Sequence, residues 1–241
     1  MSALLDVRGI GKRFRGLLAV DNVSFAVARG SIFAVIGPNG AGKTTLFNII
    51  AGAIAPDRGS IFFDGAPIDG LPPDQVCRRG IGRTFQLVRP FPALSVEDNV
   101  IVGAMLHHHE LAAARAHAHQ LLRQLDLFDR RGQIASTLTL PDRKRLEVAR
   151  ALATRPKLLL LDEVMAGLRP VETDRMVLIL RNLSRETGLT ILLIEHVMRA
   201  VMALAARVLV LHHGAVIAEG PPAAVVREPT VVHSYLGAEA V

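Results

Sequence analysis

The 241-residue chain has no tryptophan, one tyrosine and one cysteine, and aromatic residues make up only 4% of it. A single cysteine, Cys77, cannot close an internal disulfide, which excludes a disulfide-stapled scaffold and fits a reducing compartment. So few aromatic rings leave little on which exposed bases could stack, and no DNA- or RNA-binding module is visible, so nucleic acid is not expected as a partner. Lys plus Arg outnumbers Asp plus Glu by 28 to 22. The basic residues are scattered, the densest patch being Arg78, Arg79, Arg83 and Arg89, and they suggest a solvated surface more than an anionic partner. Long apolar runs are also missing. Mean hydropathy is +0.34, yet the best stretch, residues 200–211, is cut by Arg207, so no transmembrane segment is expected. The first residues reach Asp6 without the basic-then-apolar order of a secretory leader, and none is expected.

What is present is a chain with 50% apolar residues, enough for a substantial core. Short apolar runs at 61–63, 158–161, 190–194 and 208–211 read as strands, with helical patterns between several of them. Runs apolar on both faces suit a mostly parallel sheet covered by helices. Residues 4–10 and 23–28 alternate more and read as antiparallel strands. Between about 87 and 140 strand signals give way to helical ones, including Ser95-Val96-Glu97-Asp98, which fits a helix cap with acids in the first turn. Glu219-Gly220-Pro221-Pro222 reads as a turn before two short helices.

The densest chemistry lies in Gly37-Pro38-Asn39-Gly40-Ala41-Gly42-Lys43-Thr44-Thr45, which fills the G-x-x-x-x-G-K-[ST] template between an apolar strand at 31–36 and a helix at 44–51. Glycines 37, 40 and 42 free the backbone to converge its N–H groups on phosphate oxygens, and the helix N-terminus adds a positive field. Lys43 is placed to reach the β- and γ-phosphates, and the Thr44 hydroxyl to complete the shell of a magnesium ion. The expected ligand is a magnesium nucleoside triphosphate.

Leu158-Leu159-Leu160-Leu161-Asp162-Glu163 carries two acids to a strand end, where ligands bind in such sheets. Asp162 is expected to hold magnesium, directly or through water, and Glu163 to polarise the attacking water. Another apolar strand ends in Glu195-His196, placing His196 as a γ-phosphate sensor. His107, His108, His109, His117 and His119 form a cluster on a polar helical stretch without cysteine and with few acids, and are expected to be a solvated face, not a metal site.

In their order, these motifs resemble the nucleotide-binding subunit of an ABC transporter, over residues 4 to about 236. The resemblance implies a P-loop NTPase (RecA-like) α/β core with a mostly parallel sheet, an antiparallel β subdomain and a helical subdomain. It implies a single domain over 1–241, with 1–86 and 141–241 as catalytic core and 87–140 as the helical part. Phe14 stands where the family stacks an aromatic residue on adenine, and Val20 would join the ATP-binding residues 37–45. Gln86, in Gly82-Arg83-Thr84-Phe85-Gln86, matches the glutamine loop that contacts magnesium and the hydrolysis site, and His196 matches the switch histidine. Arg83-Thr84-Phe85-Gln86, the Phe91-Pro92 to Val100 segment and Ile194-Glu195-His196-Val197-Met198 look most like importers of branched-chain amino acids and related amides. The implied partners are integral membrane permease subunits, a second ATP-binding subunit and, indirectly, a solute-binding protein, with the chain peripheral on the cytoplasmic face. A soluble ABC ATPase would generally carry two cassettes or a long coiled-coil insertion; an exporter of lipid or polysaccharide stays open.

Two positions depart from the family. Its Leu-Ser-Gly-Gly-Gln signature is replaced by Leu138-Thr139-Leu140-Pro141-Asp142, where Pro141 has no N–H to donate and Asp142 is expected to bring negative charge toward a triphosphate. As the first residue of a helix Pro141 is favourable. Arg169, in Met165-Ala166-Gly167-Leu168-Arg169, stands where an acid or amide is common. Together they predict an asymmetric heterodimer, in which this chain's own phosphate loop works with a partner's intact signature.

Overall fold

The computed structural model describes residues 3–85 and 90–236. Two long strands, β1 (Ala3–Phe14) and β2 (Leu17–Ala28), open the chain as an antiparallel pair, and β4 (Arg58–Phe63) and β5 (Ala66–Pro67) extend it to a four-stranded sheet ordered β2-β1-β4-β5. A second sheet has six strands in the order β10-β9-β3-β8-β7-β6. They are β3 (Ile32–Ile36), β6 (Ile81–Arg83), β7 (Leu158–Asp162), β8 (Thr190–Ile194), β9 (Arg207–His212) and β10 (Ala215–Gly220). All its pairings are parallel except the β9–β10 hairpin. Parallel pairing requires long crossovers, and the helices supply them. They are α1 (Lys43–Ile50), α2 (Pro73–Arg78), α3 (Val96–Ala104), α4 (Leu111–Gln124), α5 (Leu140–Ala153), α6 (Pro170–Thr187), α7 (Met198–Leu204), α8 (Pro222–Val225) and α9 (Pro229–Leu236).

The strands β3, β7 and β8 are buried along their whole length, and period-2 alternation divides their side chains between two layers. Ile32, Ala34, Leu159, Leu161, Ile191 and Leu193 face a layer shared with α3 to α6. Phe33, Val35, Leu158, Leu160, Leu192 and Ile194 face a layer shared with α1 and the antiparallel sheet. The helical stretch has no core of its own: Val96, Val100, Ala114 and Leu122 pack in the same cluster as the sheet. Gly103 shows how closely α3 lies on α5, since a Cβ there would stand 2.7 Å from the Arg150 carbonyl oxygen. The Ser95 hydroxyl accepts the Asp98 N–H at 3.0 Å, capping α3 as its sequence suggests.

Candidate functional site

Strand β3 leads directly into the glycine loop, and α1 begins at Lys43 behind the left-handed Gly42. Close backbone approach requires glycine at two points: a Cβ on Gly37 would lie 2.1 Å from the Leu211 carbonyl oxygen, and one on Gly42 2.2 Å from that of Ala19. The Lys43 ammonium donates to the carbonyls of Gly37 at 2.7 Å and Pro38 at 2.9 Å, spanning the loop. Burial pulls its pKa below the ordinary lysine value, with Glu163 and Asp162 opposing.

A cleft of about 430 Å³ opens over this loop, walled by Phe14, Leu17, Leu18 and Ala19 on one side, residues 39–45 beneath, and Glu163 and His213 at the rim. Phe14 is 42% exposed, available as a stacking face as its sequence position suggests. Val20 is not: it is fully buried in the core. It is absent from the cleft lining, and the expectation that it touches nucleotide is corrected in favour of its neighbours. Leu17, Leu18, Ala19 and His213 carry no motif, and only the register of β2 and the β9–β10 turn brings them here.

At the end of β7, Asp162 is 1% exposed. One carboxylate oxygen accepts from Arg83 Nη2 at 3.3 Å, while Oδ1 is buried without a partner. Burial pushes the carboxyl up, against the pull of Arg83. Asp162 Oδ1 and the Thr44 hydroxyl in the first turn of α1 are hard oxygen donors of the kind a magnesium-sized cation takes. Gln86 and Arg89 lie outside the described residues. Glu163 follows with φ of 50°, a left-handed backbone rare outside glycine, and its N–H donates to the Ile194 carbonyl at 3.0 Å. That places its carboxylate 3.9 Å from Nδ1 of His196. Behind them, Lys144 Nζ donates to the Glu163 carbonyl at 3.0 Å. Glu195 is fully buried, accepts the Met165 N–H at 2.9 Å, and is pushed up by burial.

The signature segment differs from expectation. Helix α5 starts at Leu140, so Pro141 is its second residue. Asp142 does not project charge outward: it is 3% exposed and accepts from Arg145, from Arg130 at 2.5 Å and from the Thr139 hydroxyl at 2.8 Å. Arg169 is held by Glu172 in a capping interaction at the start of α6. The histidine cluster lies at the surface as expected, with His107 and His109 exposed and His108, His117 and His119 half-buried. His107 Nε2–H donates to the Thr154 carbonyl at 2.9 Å, His119 Nε2–H to Glu97 at 2.6 Å, and the His108 and His117 rings lie 5.4 Å apart. Among the described residues no group of three or more candidate ligands could hold a metal.

A parallel sheet with a phosphate loop after β3, two acids at the end of β7 two strands away and an antiparallel sheet beside it define an ATP-binding cassette. The family model described as "ABC transporter" matches residues 20–166, and the chain belongs to that family of ATPases. It is similar to the high-affinity branched-chain amino acid transport ATP-binding protein BraF of Pseudomonas aeruginosa, 38% identical over 97% of this chain and 98% of that protein. It is similar also to LivG of Escherichia coli strain K12, with the same description, at 38% identity over 97% and 98%. The lipopolysaccharide export system ATP-binding protein LptB of that strain is 35% identical over 98% of both chains. Among solved structures, the ADP conformation of an ATP-binding cassette from an ABC transporter superposes with a TM-score of 0.90 at 30% identity, covering 98% of this chain and all of that one. No described helix is long and apolar enough to cross a membrane.

Proposed function

We propose that this chain is the ATP-binding subunit of an importer of branched-chain amino acids or related amino acids and amides, working on permease subunits at the cytoplasmic face of the membrane. Similarity to BraF and LivG over nearly the whole chain supports that solute class. The geometry that carries the coupling role is an apolar groove of about 350 Å³ between β6, α2, α3 and α5. Phe85, Phe91 and Val102 stand half exposed along it, a surface suited to a short apolar helix of a permease. Arg83 lies on its wall, one edge from Asp162. The stretch 87–140, as a helical subdomain, would present this groove.

In this reading Phe14 stacks on adenine and the backbone of residues 37–45 cradles the phosphates. Lys43 leaves its loop carbonyls for the β- and γ-phosphates. Thr44 and Asp162, whose buried Oδ1 lacks a partner, hold magnesium, which when bound neutralises phosphate charge. Glu163 orients and polarises the attacking water, and His196 beside it contacts the γ-phosphate. Hydrolysis would then relax a closed pair of cassettes and move the permease. Gln86 would join the metal and the groove to one loop.

The signature of this chain would close over a partner's nucleotide with one N–H missing at Pro141. With Asp142 turned inward, the defect reduces to roughly one hydrogen bond to phosphate, about 1.5 to 3 kcal/mol. That supports pairing with a second, different cassette. Sedimentation of Glu163→Gln with and without magnesium ATP tests it: a homodimer appearing with ATP overturns the heterodimer, and a monomer that binds ATP upholds it. For the solute, deletion of the gene should abolish uptake of labelled leucine, isoleucine or valine, restored by wild type and not by Glu163→Gln. Unchanged uptake would turn the reading toward export, to which the 35% identity with LptB also points.

A further inference from the structure

We propose that Arg83 is the resident counter-cation of Asp162, that it competes with the divalent cation for that carboxylate, and that its release is passed to Phe85 in the groove. This rests on the reading of Asp162 as a magnesium ligand. Arg83 is three residues before Gln86 and belongs to no phosphate-binding motif. It ends β6, whose partner is β7, so the pairing Arg83 to Leu160 aims it at the acid two residues further along. A buried carboxylate without a cation is costly. Asp162 has a side chain only 2% exposed, and that of Arg83 is 12% exposed.

The pair is loose where it could be tight. A guanidinium facing a carboxylate usually engages both oxygens. Here a single contact at 3.3 Å joins them, leaving Asp162 Oδ1 and Arg83 Nε buried without partners. Arg83 Nη1 is held instead by Asn48 on α1 at 2.7 Å. Arg83 thus neutralises Asp162 from one side while the other oxygen stays open to a second cation. The backbone beside it is anchored, since the buried Thr84 hydroxyl accepts the Asp162 N–H at 3.1 Å. Motion at this point therefore falls to the Arg83 side chain. Its guanidinium also lies 5.4 Å from the ring centre of Phe85, and both residues line the apolar groove. The two positions have the same parity, one residue either side of the anchored Thr84. A cation arriving at Asp162 repels Arg83, and the side chain it moves is already stacked on a groove wall.

Magnesium chloride and ADP, which cannot turn over, provide the probes. In Arg83→Met the magnesium concentration giving half-saturation of ADP binding should fall by about three- to tenfold, the scale of one partly screened charge interaction. An unchanged or higher midpoint overturns the competition. The chain has no tryptophan, so Phe85→Trp gives a sole reporter in the groove. Its emission should shift when magnesium is added to the ADP complex, and the shift should vanish when Arg83→Met or Asp162→Asn is combined with it. A shift that persists without Arg83 overturns the relay. If Arg83→Met fails to fold, Arg83→Lys replaces it, keeping the charge but losing the planar stack: the midpoint should hold and the emission shift should shrink. ADP binding without magnesium is the control, and its absence from the wild-type chain would refute the nucleotide site itself and not the role of Arg83.

Discussion

Replacing Asp142 by alanine removes a buried carboxylate from between two guanidiniums and a hydroxyl, and the structure sets what each partner then loses. Arg145, its side chain 11% exposed, keeps contacts of 3.3 Å to the carbonyls of Leu125 and Asp126 and a 3.8 Å approach to the Asp126 carboxylate. It is weakened but not stranded. Arg130, its side chain 44% exposed, can return to water. Breaking a fully buried pair costs about 3 to 5 kcal/mol. With one arginine half rescued and the other exposed, Asp142→Ala should cost about 2 to 4 kcal/mol. In a domain of this size that corresponds to a fall in Tm of roughly 5 to 15 °C. Asp142→Asn, which keeps the shape and loses the charge, should cost about half as much. Arg130→Gln should cost less than about 1 kcal/mol, as an exposed ion pair does. Urea unfolding followed by circular dichroism reads all three, and a cycle with Arg145→Met should show a coupling of about 1 to 3 kcal/mol. An Asp142→Ala loss below 1 kcal/mol, or an Arg130→Gln loss equal to it, would refute the view that Asp142 is an inward structural anion.

Gly42→Ala should abolish nucleotide binding in calorimetric titration, because its Cβ would meet the Ala19 carbonyl at 2.2 Å at a φ of 98°; measurable ATP affinity would show that the loop relaxes more easily than this contact allows. For Glu195 the folded chain holds its proton to higher pH than the unfolded chain, so this group lowers stability as pH rises from the ordinary carboxylate value of about 4 through its raised folded pKa. Stability curves of Glu195→Gln and wild type should coincide near pH 4 and separate in favour of the glutamine variant as pH rises, and parallel curves would count against a buried charge.

Much of this molecule was legible because its signals are local. The strand runs at 158–161 and 190–194 and the Ser95 cap announce themselves within a few residues. The phosphate loop does so too, since its glycines, lysine and threonine are contiguous. What escaped depends on partners far along the chain. Asp142 looks outward until Arg130, twelve residues earlier, folds over it. Val20 sits at the position of a family contact, but it is fully buried in the core, and Leu17, Leu18 and Ala19 line the cleft instead. The histidines were legible as a surface group, and only their ring contacts to Thr154 and Glu97, far along the chain, escaped. Arg83 looked like one of several scattered cations, and only the β6–β7 register brings it to the acid.

The six-stranded sheet divides the buried side chains into two clusters, one holding the glycine-loop helix with Val76 of α2, the other α3 and α5, and the groove draws its lining from both. A wall of this kind insulates. Volume changes in one layer, such as Phe47→Leu on α1, should leave the packing under α3 and α5 nearly untouched, and substitutions in opposite layers should add. The occupancy of the nucleotide cleft can therefore reach the α2 side of the groove through the layer under α1, whereas the side built by α3 and α5 is reached along the edge where the strands end in Arg83, Asp162, Glu163 and Glu195. Sequence drift in α3 and α5 is thus free to retune one side of the groove proposed to meet a permease without disturbing the packing under the phosphate loop.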